Sequence, residues 1–174
     1  MNIRNAVLAT LAMLTLGYSA ASQSLTPTAG RGAPPVPLEG TWVMTINPID
    51  CSTGATFPGV PGIVTFVTFA RGGTLTETNS SAAFEPGQRG PGHGYWERTG
   101  LTSYQFVYQA FIQFDSTLPP FRYTRGYQRL DQTLELHTDD DFTTIGSVKF
   151  FHGTSSTTPA FPSGCARSTG TRLF

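Results

Sequence analysis

Charge is scarce in this sequence. Only 13% of its 174 residues are Asp, Glu, Lys or Arg, the two signs cancel at eleven each, and Lys149 is the only lysine. A chain without a basic excess has no electrostatic footprint for nucleic acid, which is excluded as a partner. Cysteine is limited to Cys51 and Cys165, with no Cys-x-x-Cys pair and no nearby histidine ligand, so no metal site is expected from them. Also missing are a nucleophile elbow, a phosphate loop and a dinucleotide fingerprint, and no cofactor is implied. No long amphipathic helical periodicity occurs either. What is abundant is Gly, Pro, Thr and Phe, and with helices absent this composition favours an all-β fold.

Residues 1–21 carry the parts of a secretory signal: Arg4, the apolar run 6–16, and Ser19-Ala20-Ala21 before a cleavage point. Loss of Arg4 with the leader would leave ten basic against eleven acidic residues, a net charge of −1. The expected location is secreted or periplasmic. The apolar run is short for a membrane span, so no stable membrane insertion is expected after cleavage. Residues 22–37 are rich in Pro, Thr and Gly, end in Ala33-Pro34-Pro35-Val36-Pro37, and read as a disordered linker. Residues 38–174 remain for a single domain.

The domain's clearest element is the stretch 92–115, which reads as a hairpin. Its second strand puts Tyr104, Phe106, Tyr108, Ala110, Ile112 and Phe114 on one face and Gln105, Gln109 and Gln113 on the other. About thirteen residues at about 3.3 Å each span roughly 43 Å, a length that suits a tilted stave of a closed barrel. Trp42, Met44 and Ile46 share a face of the first strand. Residues 63–69 form a second strand, apolar on both faces, and Leu75 and Glu77 share a face of the third. Residues 79–91 lack periodicity and are expected to be a long loop, a candidate lid, with a glycosylation acceptor at Asn79-Ser80-Ser81. Residues 121–130 and 133–138 read as two strands with Leu134 and Leu136 inward, Asp139-Asp140-Asp141 as a solvated turn or, less plainly, a calcium loop, and 145–152 and 165–173 as the last two strands. The total of eight to nine strands points to an antiparallel up-and-down barrel.

In an exported chain the two cysteines are expected to form a disulfide, tying the first strand to the last. Extrapolated as antiparallel pairing, that link sets Arg172 near Met44 and Phe174 near Trp42. Gly40-Thr41-Trp42 at the start of the first strand resembles the lipocalin signature, and Arg172 resembles the arginine that packs over the lipocalin tryptophan. With no helix before the last strand, the resemblance is to lipocalin-like barrels in the broader calycin sense. It implies a cup that holds a small apolar or amphipathic molecule.

The candidate ligand-binding residues are Trp42, Glu77, Trp96, Arg98, Tyr104, Phe106, Tyr108 and Ile112, with Tyr123 or Arg125 as further polar contributors. Alternation turns Trp96 inward with Gly94 and Arg98, so Glu77 and Arg98 are expected to meet as an ion pair. The opposite phase would bring in His93, Tyr95 and Glu97, a conventional acid and base set; Glu77, Tyr108, His93 and Glu97 are therefore the candidate catalytic groups. His137 and His152 are expected at the surface and at a strand end, and no three-histidine site is supported. Three functions are compatible with the pattern: a barrel binding a small hydrophobic molecule, a lipid isomerase or cyclase using the same interior, or a solid adhesion barrel. Interior volume separates the third from the others. Nothing in the pattern fixes an oligomeric state.

Overall fold

The computed structural model describes residues 38–115, 123–154 and 156–174; the leader and linker segments lie outside them. Eight strands, β1 (Gly40–Ile49), β2 (Ile63–Phe69), β3 (Thr74–Asn79), β4 (Arg89–Arg98), β5 (Ser103–Asp115), β6 (Tyr123–Leu136), β7 (Asp141–His152) and β8 (Gly164–Arg172), form a closed antiparallel barrel in chain order. Two expectations change here. Residues 121–130 and 133–138 do not form a pair of strands, because Leu130 to Leu134 continue without a turn through the single strand β6, which pairs with β5 over its whole length. β4 begins at Arg89, inside the stretch read as loop, with a register irregularity between Arg89 and Gly92. The Pro and Gly residues around that bulge hide the period-2 pattern.

Closure depends on β1 and β8. Trp42 faces Arg172 and Ile49 faces Cys165, two residues away from the extrapolated register. The shift arises because Cys51 is beyond the end of β1. Asp50 accepts bonds from the Ser52 and Thr53 backbone N–H groups, the chain folds back, and the Cys51–Cys165 disulfide closes with its Cα atoms 5.2 Å apart. A shift of two keeps every side chain on its expected face.

The barrel has unlike ends. At one end the hairpin connections are short, including Ala70 to Gly73, where Gly72 and Gly73 adopt positive φ of 92° and 87° as the tight turn requires. That end is filled with rings: Trp42 and Phe142 lie 4.9 Å apart, and Phe69 packs edge-on to Trp96, Phe106 and Phe142. The indole N–H groups of Trp42 and Trp96 donate to the carbonyls of Leu38 and Ala70. Arg172 lies 4.2 Å from the Trp42 ring centre, as the lipocalin-like resemblance implies. It also donates to the carbonyls of Glu39 and Asp139 and pairs with Asp140. The aspartate turn therefore latches Arg172 over the closed end, and among the described residues no group of three His, Cys, Asp or Glu is arranged for a metal. The opposite end carries the longer connections β1–β2, β3–β4 and β7–β8.

A cavity at the loop-bearing mouth

Below those loops the interior is not filled. A cavity of about 240 Å³ is lined by Ile46, Ile63, Leu130, Val148 and Phe150 from the strands and by Phe84 from the β3–β4 loop, with Tyr108 and Gln128 also on its wall. The strand residues are there because alternation turns them inward. Phe84 is there because the loop 80–88 folds across the mouth, held by Gln88, which donates through its side chain to the carbonyl of Gln113 and accepts from the backbone N–H of Glu85. The loop expected as a lid thus contributes to the wall. Beside it, Phe114, His152 and Phe161 form a ring cluster, with Phe114 and His152 4.4 Å apart.

A buried ion pair backs the cavity. Glu77 is 1% exposed; its Oε1 accepts from Thr65 Oγ1 at 2.8 Å and its Oε2 from Arg89 Nη2 at 2.9 Å. Arg89 Nε donates to Gln128 Oε1 at 2.8 Å and its Nη1 to the carbonyl of Gly90 at 3.1 Å. Two charges removed from water are stable here because each is paired and hydrogen-bonded further. The carboxylate has room because Gly92 faces it: a Cβ there would sit 2.6 Å from Glu77 Oε2 and 2.8 Å from Tyr108 Cδ2. Gly92→Ala is expected to destabilise the barrel by about 1 to 3 kcal/mol through overpacking, read as a lower urea midpoint with the slope unchanged.

The expected Glu77–Arg98 pair does not form. Glu77 does face inward, but Arg98 at the end of β4 is exposed, donates to the carbonyls of Gly100 and Leu101, and lies 5.9 Å from the Tyr104 ring centre. Trp96 is buried, whereas His93, Tyr95 and Glu97 are exposed, so the acid and base phase of β4 is not adopted and Glu97 bonds to Gln105 on the outer face. Of the named ligand candidates, Trp42, Trp96, Tyr104 and Phe106 are buried in the hydrophobic core cluster, Ile112 is buried on β5, and Tyr108 also borders the cavity. Arg125 is exposed, and the side chain of Tyr123 lies outside the described residues. His137 is exposed and hydrogen-bonded to Thr143.

Sequence reasoning missed Arg89, Thr65, Gln128 and Phe84. Arg89 and Phe84 were inside the aperiodic stretch, Gln128 was on a strand divided in two, and both faces of β2 looked apolar. One signal was available: a buried Glu77 demands a cation on an adjoining strand, and Arg89 is on the strand that pairs with β3.

Burial, reinforced by the nearby Glu77 carboxylate, pushes the Tyr108 hydroxyl well above the ordinary tyrosine range, and burial also raises Tyr104. Both hydroxyls are thus neutral donors at any ordinary pH. No protein-family model matches the chain, and no curated protein or solved structure matches it.

Proposed function

We propose that this protein is a lipocalin-like binding barrel that holds a small hydrophobic or amphipathic molecule in the cavity at its loop-bearing mouth. The observation that carries the reading is the asymmetry of the interior: aromatic rings fill one end, while the other keeps a cavity of about 240 Å³ with a largely apolar wall. A barrel serving only as a solid module has no reason to leave that space, since an unfilled apolar cavity lowers stability. The volume is below the 300–1,000 Å³ usual for drug-sized ligands, which supports a compact ligand. The packing of Arg172 on Trp42 supports a cup with a sealed base.

Binding is a better reading than isomerase or cyclase chemistry. An acid and base mechanism needs a group in the cavity that can accept a proton, but Glu77 is engaged by Thr65 and Arg89, and a Tyr108 hydroxyl raised by burial donates rather than accepts. The disulfide supports an oxidising compartment, in line with secretion or a periplasmic location. The outward Gln105, Gln109, Arg129, Asp131, Thr133 and Glu135 of β5 and β6, which share that surface with the exposed Phe111, support a water-facing exterior.

Ala166, buried on the cavity wall, supplies the test. The wild-type protein is expected to bind the apolar fluorophore N-phenylnaphthylamine with enhanced emission, and Ala166→Phe to lose that binding at least tenfold while retaining its β-sheet circular dichroism. Undiminished binding by the filled variant, or none by the wild type, would rule out this cavity as the site.

A further inference from the structure

Among the described residues, the cavity wall carries one buried side-chain atom without a protein partner. Among the described residues three buried side-chain atoms lack a partner: Tyr104 Oη, Gln132 Nε2 and Tyr108 Oη. Only Tyr108 belongs to the wall of this cavity, and it is 1% exposed. The side-chain acceptors around it each already receive a hydrogen bond. Gln128 Oε1 takes the Arg89 Nε–H, which leaves the Gln128 amide with donors to offer. Asn79 Oδ1 and Ser81 Oγ, at the rim, accept from the backbone N–H groups of Ser81 and Ala83.

The charges behind the wall are engaged with each other and with neighbouring polar groups. Arg89 donates through Nε, Nη1 and Nη2 to Gln128, Gly90 and Glu77, and Glu77 accepts from Thr65 and Arg89. Among the described residues, no carboxylate, ammonium or guanidinium lines the cavity. An anionic ligand would bring its charge toward Glu77, whose cation Arg89 is already paired with it, and a cationic ligand would find no carboxylate on the wall among the described residues. Either would lose its hydration without replacement. A neutral ligand escapes that penalty. If it carries an oxygen acceptor, it also satisfies a hydroxyl whose isolation is costly in an apolar site.

Building on the binding reading above, we infer that the ligand is a compact, neutral, apolar molecule bearing a carbonyl-type oxygen, as in a ketone, lactone or ester, and that this oxygen accepts the hydrogen bond of Tyr108. The apolar body then rests against Ile46, Ile63, Leu130, Val148 and the rings of Phe84 and Phe150.

The test uses three probes of nearly one shape: naphthyl methyl ketone, ethylnaphthalene and naphthoate, each displacing N-phenylnaphthylamine from the wild-type protein and from Tyr108→Phe. The wild type is expected to bind the ketone about tenfold more tightly than the hydrocarbon, the contribution of one well-made hydrogen bond, and to bind naphthoate least. In Tyr108→Phe ketone and hydrocarbon are expected to bind equally, with the hydrocarbon's affinity unchanged. Equal binding of ketone and hydrocarbon by the wild type, a ketone preference that survives Tyr108→Phe, or naphthoate as the tightest probe would each overturn the inference while leaving the binding reading intact. Failure of every probe to bind would instead remove the binding reading itself. Tyr108→Phe deletes only a hydroxyl without a partner, so its thermal midpoint is expected at or above that of the wild type. Should the variant fail to fold, the wild-type ranking of the three probes decides the question alone.

Discussion

Arg89→Met is expected to destabilise the barrel by about 3 to 5 kcal/mol, because it leaves the Glu77 carboxylate buried without its cation. The side chains of Arg89 and Glu77 are 5% and 0% exposed, so water cannot replace the lost partner without opening the sheet. Glu77→Leu alone should also destabilise, since it strands the guanidinium. The double variant Glu77→Leu with Arg89→Met is expected to recover most of the loss: it removes both charges together, and Thr65 keeps its bond to the Thr78 carbonyl. Urea unfolding of the four proteins forms a double-mutant cycle. A coupling near zero would show that the two charges do not depend on each other. A large coupling with near wild-type stability in the double variant would show that the pair is interchangeable with apolar packing.

Removal of the disulfide should have a comparable effect. The Cys51 and Cys165 bond spans 114 residues, and the chain-entropy relation assigns such a loop about 4 to 5 kcal/mol. Domains of this size are usually stable by about 5 to 15 kcal/mol, so either change consumes much of the margin. The bond also lies at the mouth, where Cys165 is part of the cavity wall beside the β1–β8 seam. Cys51→Ala with Cys165→Ala is therefore expected to lower the denaturation midpoint sharply and to weaken N-phenylnaphthylamine binding even where the protein is folded. Loss of stability with unchanged binding would show that the seam keeps its geometry through its strand pairing alone.

The staves were legible because inward and outward residues alternate along them. Tyr104, Phe106, Tyr108 and Ile112 face inward as the pattern of β5 requires, and Leu75 and Glu77 do so together on β3. Where the period was interrupted, legibility failed. Pro86, Gly87, Gly90 and Pro91 obscured the start of β4 and with it Arg89, and the polar pair Asp131-Gln132, read as the gap between two strands, runs straight through β6. Glu77 was correctly read as buried and was given the wrong partner, because alternation predicts the direction of Arg98 only while the strand continues. Arg98 is at the strand end, where the chain leaves the sheet and the carbonyls of Gly100 and Leu101 capture its guanidinium.

The sequence by itself determined an all-β chain, the faces of most strands, the pairing of the two cysteines and the need to compensate one buried carboxylate. These follow from period-2 patterning, residue counts and the cost of burying charge, all of which are local or compositional. Only the tertiary structure decided that one end of the barrel is filled with rings while the other keeps a cavity of about 240 Å³, that Arg89 answers Glu77, and that the Tyr108 hydroxyl is left without a protein partner. Those outcomes depend on strand register and closure, which set side chains from distant parts of the chain at the same height in the barrel. Strand periodicity tells a side chain which way to point and is silent on what it will meet.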